Sequence, residues 1–164
     1  MTSTNRRRFD AWKEGVQVKE IIKIVIKGAS GYCCIDEAFN DKVTITPGSI
    51  SYEYVPAVES EMNPKRKWSY KTDSPIFKMK YDTLVSLMPG VTERDIDEFC
   101  TDIGGIEFTI TYSDKTKFHE TFWVSSDYFE SQFKEIKTMV PECEYTPAVL
   151  LTSDDFEEED EDNV

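Results

Sequence analysis

The sequence predicts an α+β domain of about seven mainly antiparallel strands, with two central helices and one C-terminal helix. Three observations carry this expectation. Stretches such as "IEFTITYSDKTKFHETFWV" alternate apolar and polar residues with the period of two that marks half-buried strands. Turn residues between such stretches, Pro47-Gly48 and Asp114 to Thr116, join consecutive strands into hairpins and so favour antiparallel pairing. Two other stretches, 73–88 and 125–140, carry apolar residues at helical spacing.

Residues 1–16 read as a basic and aromatic arm, with Arg6 to Arg8 ahead of Phe9 and Trp12. A single domain then spans 17–150. Its first strand lies in "VKEIIKIVIKGA", where Ile22, Ile24 and Ile26 share one face and Lys19, Lys23 and Lys27 the other. "YCCIDEAF" is ambiguous between strand and short helix, and strand is the reading adopted. "KVTIT" and "SISYEYV" form a hairpin across Pro47-Gly48. The first helix is capped by Asp73 or Ser74, takes Pro75 in its first turn, and buries Phe77, Tyr81, Leu84, Val85 and Met88. Pro89-Gly90 should stop it. Thr92 should cap a short second helix with Ile96, Phe99 and Cys100 facing inward, ending at Gly104-Gly105.

In the following hairpin, pairing Tyr112 with Phe118 and Phe108 with Phe122 gathers the large side chains on one face. That register leaves Glu120 on the apolar side, tolerable at a sheet edge. The last helix begins at Ser125 or Ser126 and buries Phe129, Phe133, Ile136 and Val140 before Pro141. Residues 151–164 form an acidic tail, expected to be extended by self-repulsion and disordered. About seven strands ahead of a C-terminal helix also resembles the pleckstrin-homology-like pattern, a curved sheet or partly open barrel capped by that helix. This is a count of elements and implies no function.

The totals narrow the class of protein. A chain of 164 residues with 13% aromatics can bury a core without disulfide or metal staples. The net charge is −13, of which eight acids between Asp154 and Asp162 supply −8, leaving −5 for residues 1–153. The start of the chain has no apolar segment of the signal-peptide kind, and no run approaches a membrane span. Cys33, Cys34, Cys100 and Cys143 show no ligand or redox spacing, so they are expected to be reduced and buried in a cytoplasmic protein. No metal or cofactor is expected.

Possible chemical constellations are weak. "IVIKGASG" lacks the remaining glycines or the Lys-Ser/Thr of a phosphate loop, so its glycines are expected to serve a turn through positive φ. His119, the only histidine, has no partner at a catalytic spacing. Glu93, Asp95, Asp97 and Glu98 fit a solvated helix start better than a cation site. With no catalytic motif, the reading leans away from an enzyme.

The sharpest local feature is "NPKRKWSYKT". As a strand it turns Arg66, Trp68 and Tyr70 one way and Lys65, Lys67 and Lys71 the other. Bases interleaved with aromatics are the composition used to attract phosphate and stack bases. Edge-strand protection by lysine, with Glu53, Glu59 and Glu61 as local counter-charges, accounts for it more simply. Lysines on the polar faces of other strands raise the prospect of one cationic sheet face. The expected function is a non-enzymatic cytoplasmic interaction module with a protein partner, a basic one if the tail recruits it. The alternatives are anion or single-stranded nucleic-acid binding through Lys65, Arg66, Lys67, Trp68, Tyr70 and Lys71, or nucleic-acid mimicry against a basic protein.

Overall fold

The structure, a computed structural model, describes residues 19–98, 100 and 102–156. The expected N-terminal arm, Phe99 and the tail from residue 157 onward lie outside the described residues. Six strands form one antiparallel sheet in the order β4-β3-β2-β1-β5-β6, not closed into a barrel. They are β1 (Ile21–Ala29), β2 (Phe39–Thr46), β3 (Ser49–Pro56), β4 (Arg66–Lys71), β5 (Ile106–Tyr112) and β6 (Lys117–Phe122). The helices are α1 (Pro75–Leu87), α2 (Pro89–Thr92) and α3 (Glu130–Lys137). Short 3-10 turns occupy Ser126–Phe129 and Ala148–Leu150.

The sheet is built outward from β1, which pairs with β2 on one side and β5 on the other. Register follows the apolar alternation: Ile24 lies between Ile45 and Ile110, and Ile26 between Val43 and Phe108. All six are fully buried. The same side of the outer strands contributes Ile50, Tyr52, Trp68, Ile106 and Phe122 to the core. The helices cover this face. Phe129 and Phe133 meet Phe108 with ring centroids 4.9 and 6.2 Å apart, and Phe122 lies 5.1 Å from Phe129. Such pairs add about 0.5–1.5 kcal/mol each beyond the area they bury.

α1 presents Phe77, Tyr81 and Leu84 to the core and packs beside α3. Ser74 occupies its N-cap without a side-chain cap bond, and Pro75 fills a position whose N–H would lack a helical partner. The Tyr81 hydroxyl donates to the Ile21 carbonyl at 2.7 Å and ties the helix to the start of β1. α3 follows the turn capped by Ser125, whose Oγ accepts from the Asp127 amide at 3.3 Å.

Several details depart from the sequence reading. There are six strands among the described residues because 32–38 is a turn-rich loop. Its carbonyls are satisfied locally: Asn63 Nδ2 donates to the Asp36 and Ala38 oxygens, so no sheet ladder is needed. α1 ends at Leu87, just ahead of Pro89-Gly90 as expected, but the same pair opens α2, which is over by Thr92; residues 94–98 are not helical. The hairpin register is shifted by two residues from the expected one, with Ile106 opposite Phe122, Phe108 opposite Glu120 and Ile110 opposite Phe118. A shift of two preserves the facing of every side chain, which is why the apolar pattern could not discriminate. β6 is an edge strand, and Glu120 is exposed there.

All four cysteines are free but exposed, not buried, because they sit on loops beyond the strand and helix ends. The described glycines do not serve through positive φ either. Gly104 is required by close approach: a Cβ there would lie 1.9 Å from the Ala29 carbonyl oxygen.

The β5–β6 turn is closed by Tyr112 N–H to the Thr116 carbonyl at 2.9 Å, with Lys115 at φ 73°. A side chain in this left-handed region costs about 1 kcal/mol or more relative to glycine. Lys115→Gly should therefore stabilise the fold by about 1 kcal/mol, read as a higher urea midpoint at unchanged slope.

Candidate functional site

The face of the sheet opposite the helices is uncovered among the described residues, and none of its side chains is buried. Cross-strand pairing arranges it in rows. One row runs Lys67, Glu53, Lys42, Lys27, Glu107 and Thr121. The next runs Ser69, Ser51, Thr44, Val25, Thr109 and His119. A third contains Lys71 opposite Ser49, which is opposite Thr46, and Lys23 opposite Thr111, which is opposite Lys117.

The first row is partly self-neutralised. Lys27 and Lys42 stand directly opposite each other, an arrangement that repels. Each leans to an acid on its outer side: Lys27 to Glu107 and Lys42 to Glu53, both at 3.9 Å. Glu107 also lies 3.1 Å from His119 Nε2. By contrast Lys23, Lys67, Lys71 and Lys117 have no ion-pair partner among the described residues. Six lysines against two glutamates thus make this face cationic within a chain of net charge −13.

The structure divides the basic and aromatic residues singled out in the sequence. Lys67 and Lys71 face the open side, joined there by Lys23, Lys27, Lys42 and Lys117. Lys65 precedes β4 and is exposed. Trp68 is 6% exposed in the core, and its Nε1 donates to the Tyr145 carbonyl at 3.3 Å. Arg66 lies between aromatic rings on the helix side, 4.6 Å from the Tyr145 centroid and 5.6 Å from that of Tyr54. Tyr70 packs edge-on to Phe77. The lysines and the aromatics of this strand therefore cannot contact one ligand from the same side, while Arg66 stays with the aromatics. Lys19, also expected on the polar face, is engaged by Asp114 and Thr116 at 3.1 Å.

A second feature lies at one end of the sheet. The opposite end has tight connections, at Pro47-Gly48 and at 113–116. This end carries the longer segments 30–38 and 57–65, the stretch before β5, and the chain after α3. Between them is a cleft of about 610 Å³ whose lining includes Gly28, Ser30, Glu37, Asp41, Gly105, Ser126, Val149 and Phe156.

Asp41 is the buried carboxylate of this region, 4% exposed. Its Oδ2 accepts from the Tyr52 hydroxyl and from the Val149 amide, each at 2.9 Å. The Tyr52 oxygen accepts in turn from the Ala148 amide at 3.2 Å. Asp41 and Tyr52 thereby hold the Ala148–Leu150 turn against the sheet. Gly28, directly opposite Asp41, makes room for this: a Cβ there would meet Asp41 Oδ1 at 2.5 Å and Val149 Cβ at 2.7 Å. Asp41 Oδ1 has no hydrogen-bond partner. Burial raises the Asp41 pKa above its ordinary value, against the opposing effect of the Tyr52 and Val149 bonds. Burial likewise raises that of Tyr52, with the neighbouring Asp41 charge adding to it.

Sequence reasoning missed Asp41. The signal was present, since Asp41 is in phase with Val43 and Ile45 and so belongs to the apolar face of β2.

The other constellations stay apart. Arg94 Nε donates to the Gly90 carbonyl, and Glu98 accepts from the Tyr128 hydroxyl. No group of three His, Cys, Asp or Glu side chains among the described residues could hold a metal ion. No helix among them is long and apolar enough to cross a membrane. Neither family models, curated proteins nor solved structures gave a match to this chain. Function must therefore be argued from these two surfaces.

Because the folded state raises the Asp41 pKa, folding favours its protonated form. Its contribution to stability should fall as pH rises from the ordinary value of 3.8 through the raised folded value. Relative to wild type, Asp41→Asn should gain stability across that window and hold a constant difference above it, measured by urea unfolding at a series of pH values. A difference independent of pH would contradict the assignment.

Proposed function

We propose that the chain is a non-enzymatic interaction module that docks an acidic stretch of a protein partner on the open lysine face of its sheet. The observation that carries this reading is the set Lys23, Lys67, Lys71 and Lys117, unpaired among the described residues and grouped by strand order on one uncovered face. Between the lysine rows runs a stripe of hydroxyls, Ser69, Ser51, Thr44 and Thr109, able to donate to carboxylates or backbone carbonyls.

A protein partner is favoured over single-stranded nucleic acid for two reasons. The rows that carry the lysines and hydroxyls contain no aromatic side chain, and Trp123, in phase with Thr121 at the end of β6, is a single ring at one corner of the face, so no run of rings lies among the cations for successive bases to stack on. The whole chain is anionic, which repels a long polyanion more than it repels a short acidic segment. The four free thiols support a reducing, cytoplasmic setting.

Fluorescence anisotropy with a labelled decaglutamate peptide tests this. Binding should weaken as salt is raised, and combined Lys23→Glu, Lys71→Glu and Lys117→Glu changes should reduce it by roughly tenfold or more. Lys134→Glu on α3, away from the face, should leave it unchanged. A triple variant that binds as well as wild type, or oligothymidine that binds more tightly than decaglutamate, would contradict the reading.

A further inference from the structure

The loop-end cleft is separate from the lysine face, since its floor is the helix-covered side of β1 and β2. Its volume of about 610 Å³ lies within the range of about 300–1,000 Å³ typical of small-molecule sites. Much of its lining is apolar, including Phe39, Ile106, Val124 and Val149. The charged residues in it are of one sign: Asp41 and Glu37, with no lysine, arginine or histidine. Asp41 brings a carboxylate oxygen without a hydrogen-bond partner, on a side chain 96% removed from solvent.

A buried acceptor left unsatisfied costs about 1–3 kcal/mol, more when it is charged, and native structures rarely tolerate one without a purpose. The Val149 amide is already committed to Oδ2, and the Gly28 and Asp41 amides, which help to stabilise the charged carboxylate, do not reach hydrogen-bond geometry at Oδ1. The missing partner is a donor.

We propose that this cleft binds a small organic cation, an apolar body carrying an ammonium or amidinium head, with the head donating to Asp41 Oδ1. The apolar wall takes the body, and the exposed Glu37 at the cleft favours the approach of positive charge. An anionic ligand would meet two carboxylates and no cation. Burial holds the Asp41 pKa above its ordinary value, and a bound ammonium would draw it back down.

The test is a titration of the full 164-residue chain, labelled with 15N, followed by amide NMR with benzylamine, benzyl alcohol and benzoate as probes. Benzylamine should give saturable shifts at Gly28, Gly104, Gly105 and Val149, and benzoate none at the same concentration. Loss of one charge-assisted hydrogen bond corresponds to about tenfold in affinity, so Asp41→Asn should weaken benzylamine by about that factor. Benzyl alcohol, neutral but of the same shape, should bind several-fold more weakly than the amine. Glu37→Gln, at an exposed position with no bearing on folding, should weaken benzylamine about twofold and serves if Asp41→Asn does not fold. The proposal is overturned by an absence of saturable shifts with benzylamine, by equal binding of benzoate, or by full benzylamine affinity in both variants.

Discussion

Everything in this fold depends on the burial of Ile24 and Ile26 on one side of β1. That strand joins the two parts of the sheet, pairing with β2 of the N-terminal meander on one edge and with β5 of the C-terminal hairpin on the other. Burying two isoleucines is worth roughly 3–6 kcal/mol, comparable with the net stability of a small domain. A one-residue slip of β1 would turn both toward water and expose Lys23 and Lys27 to the helices. The register is thus fixed at the centre, and every row of side chains on the opposite face inherits it. The lysine face is a consequence of where the isoleucines must go.

The same constraint explains what could be read from sequence. Period-two alternation in β1, β2, β3 and β5 is strong because one face is packed and the other wet, and those elements were legible. So were α1 and α3, whose apolar stripes meet the sheet. Legibility failed where no such contrast exists. The loop at 32–38 is apolar in composition yet exposes Tyr32 and Ile35, since its backbone is satisfied by Asn63 and local turns. The hairpin register was misjudged by two because alternation is blind to even shifts, and the left-handed Lys115 belongs to the turn actually formed. Within the basic strand, sequence separated its lysines from its aromatics correctly. It could not show that Trp68 is core, nor which distant lysines share the open face, because strand order is set by tertiary pairing.

The two candidate surfaces answer to different physics. On the open face, charges are solvated, each pair contributes little, and binding must come from several lysines acting together at moderate salt. In the cleft, one carboxylate sits among apolar side chains, and a single donor decides the energetics. The link between them is the β1–β2 pair itself: Lys27 opposite Lys42 on one side is followed by Gly28 opposite Asp41 on the other. The chain after α3 closes the cleft, held by Asp41 and Tyr52 at Ala148 and Val149, and by Lys137 to Asp155 at 2.6 Å.

The central claim is that the lysine face of the sheet is open. Acetylation footprinting of the native full-length chain, with each lysine followed by mass spectrometry, tests it most directly. The account predicts fast modification at Lys23, Lys67, Lys71 and Lys117, and slow modification at Lys137, whose side chain is 19% exposed and paired with Asp155. Protection of the four open-face lysines to the level of Lys137 would show that the face is already covered and would contradict the account.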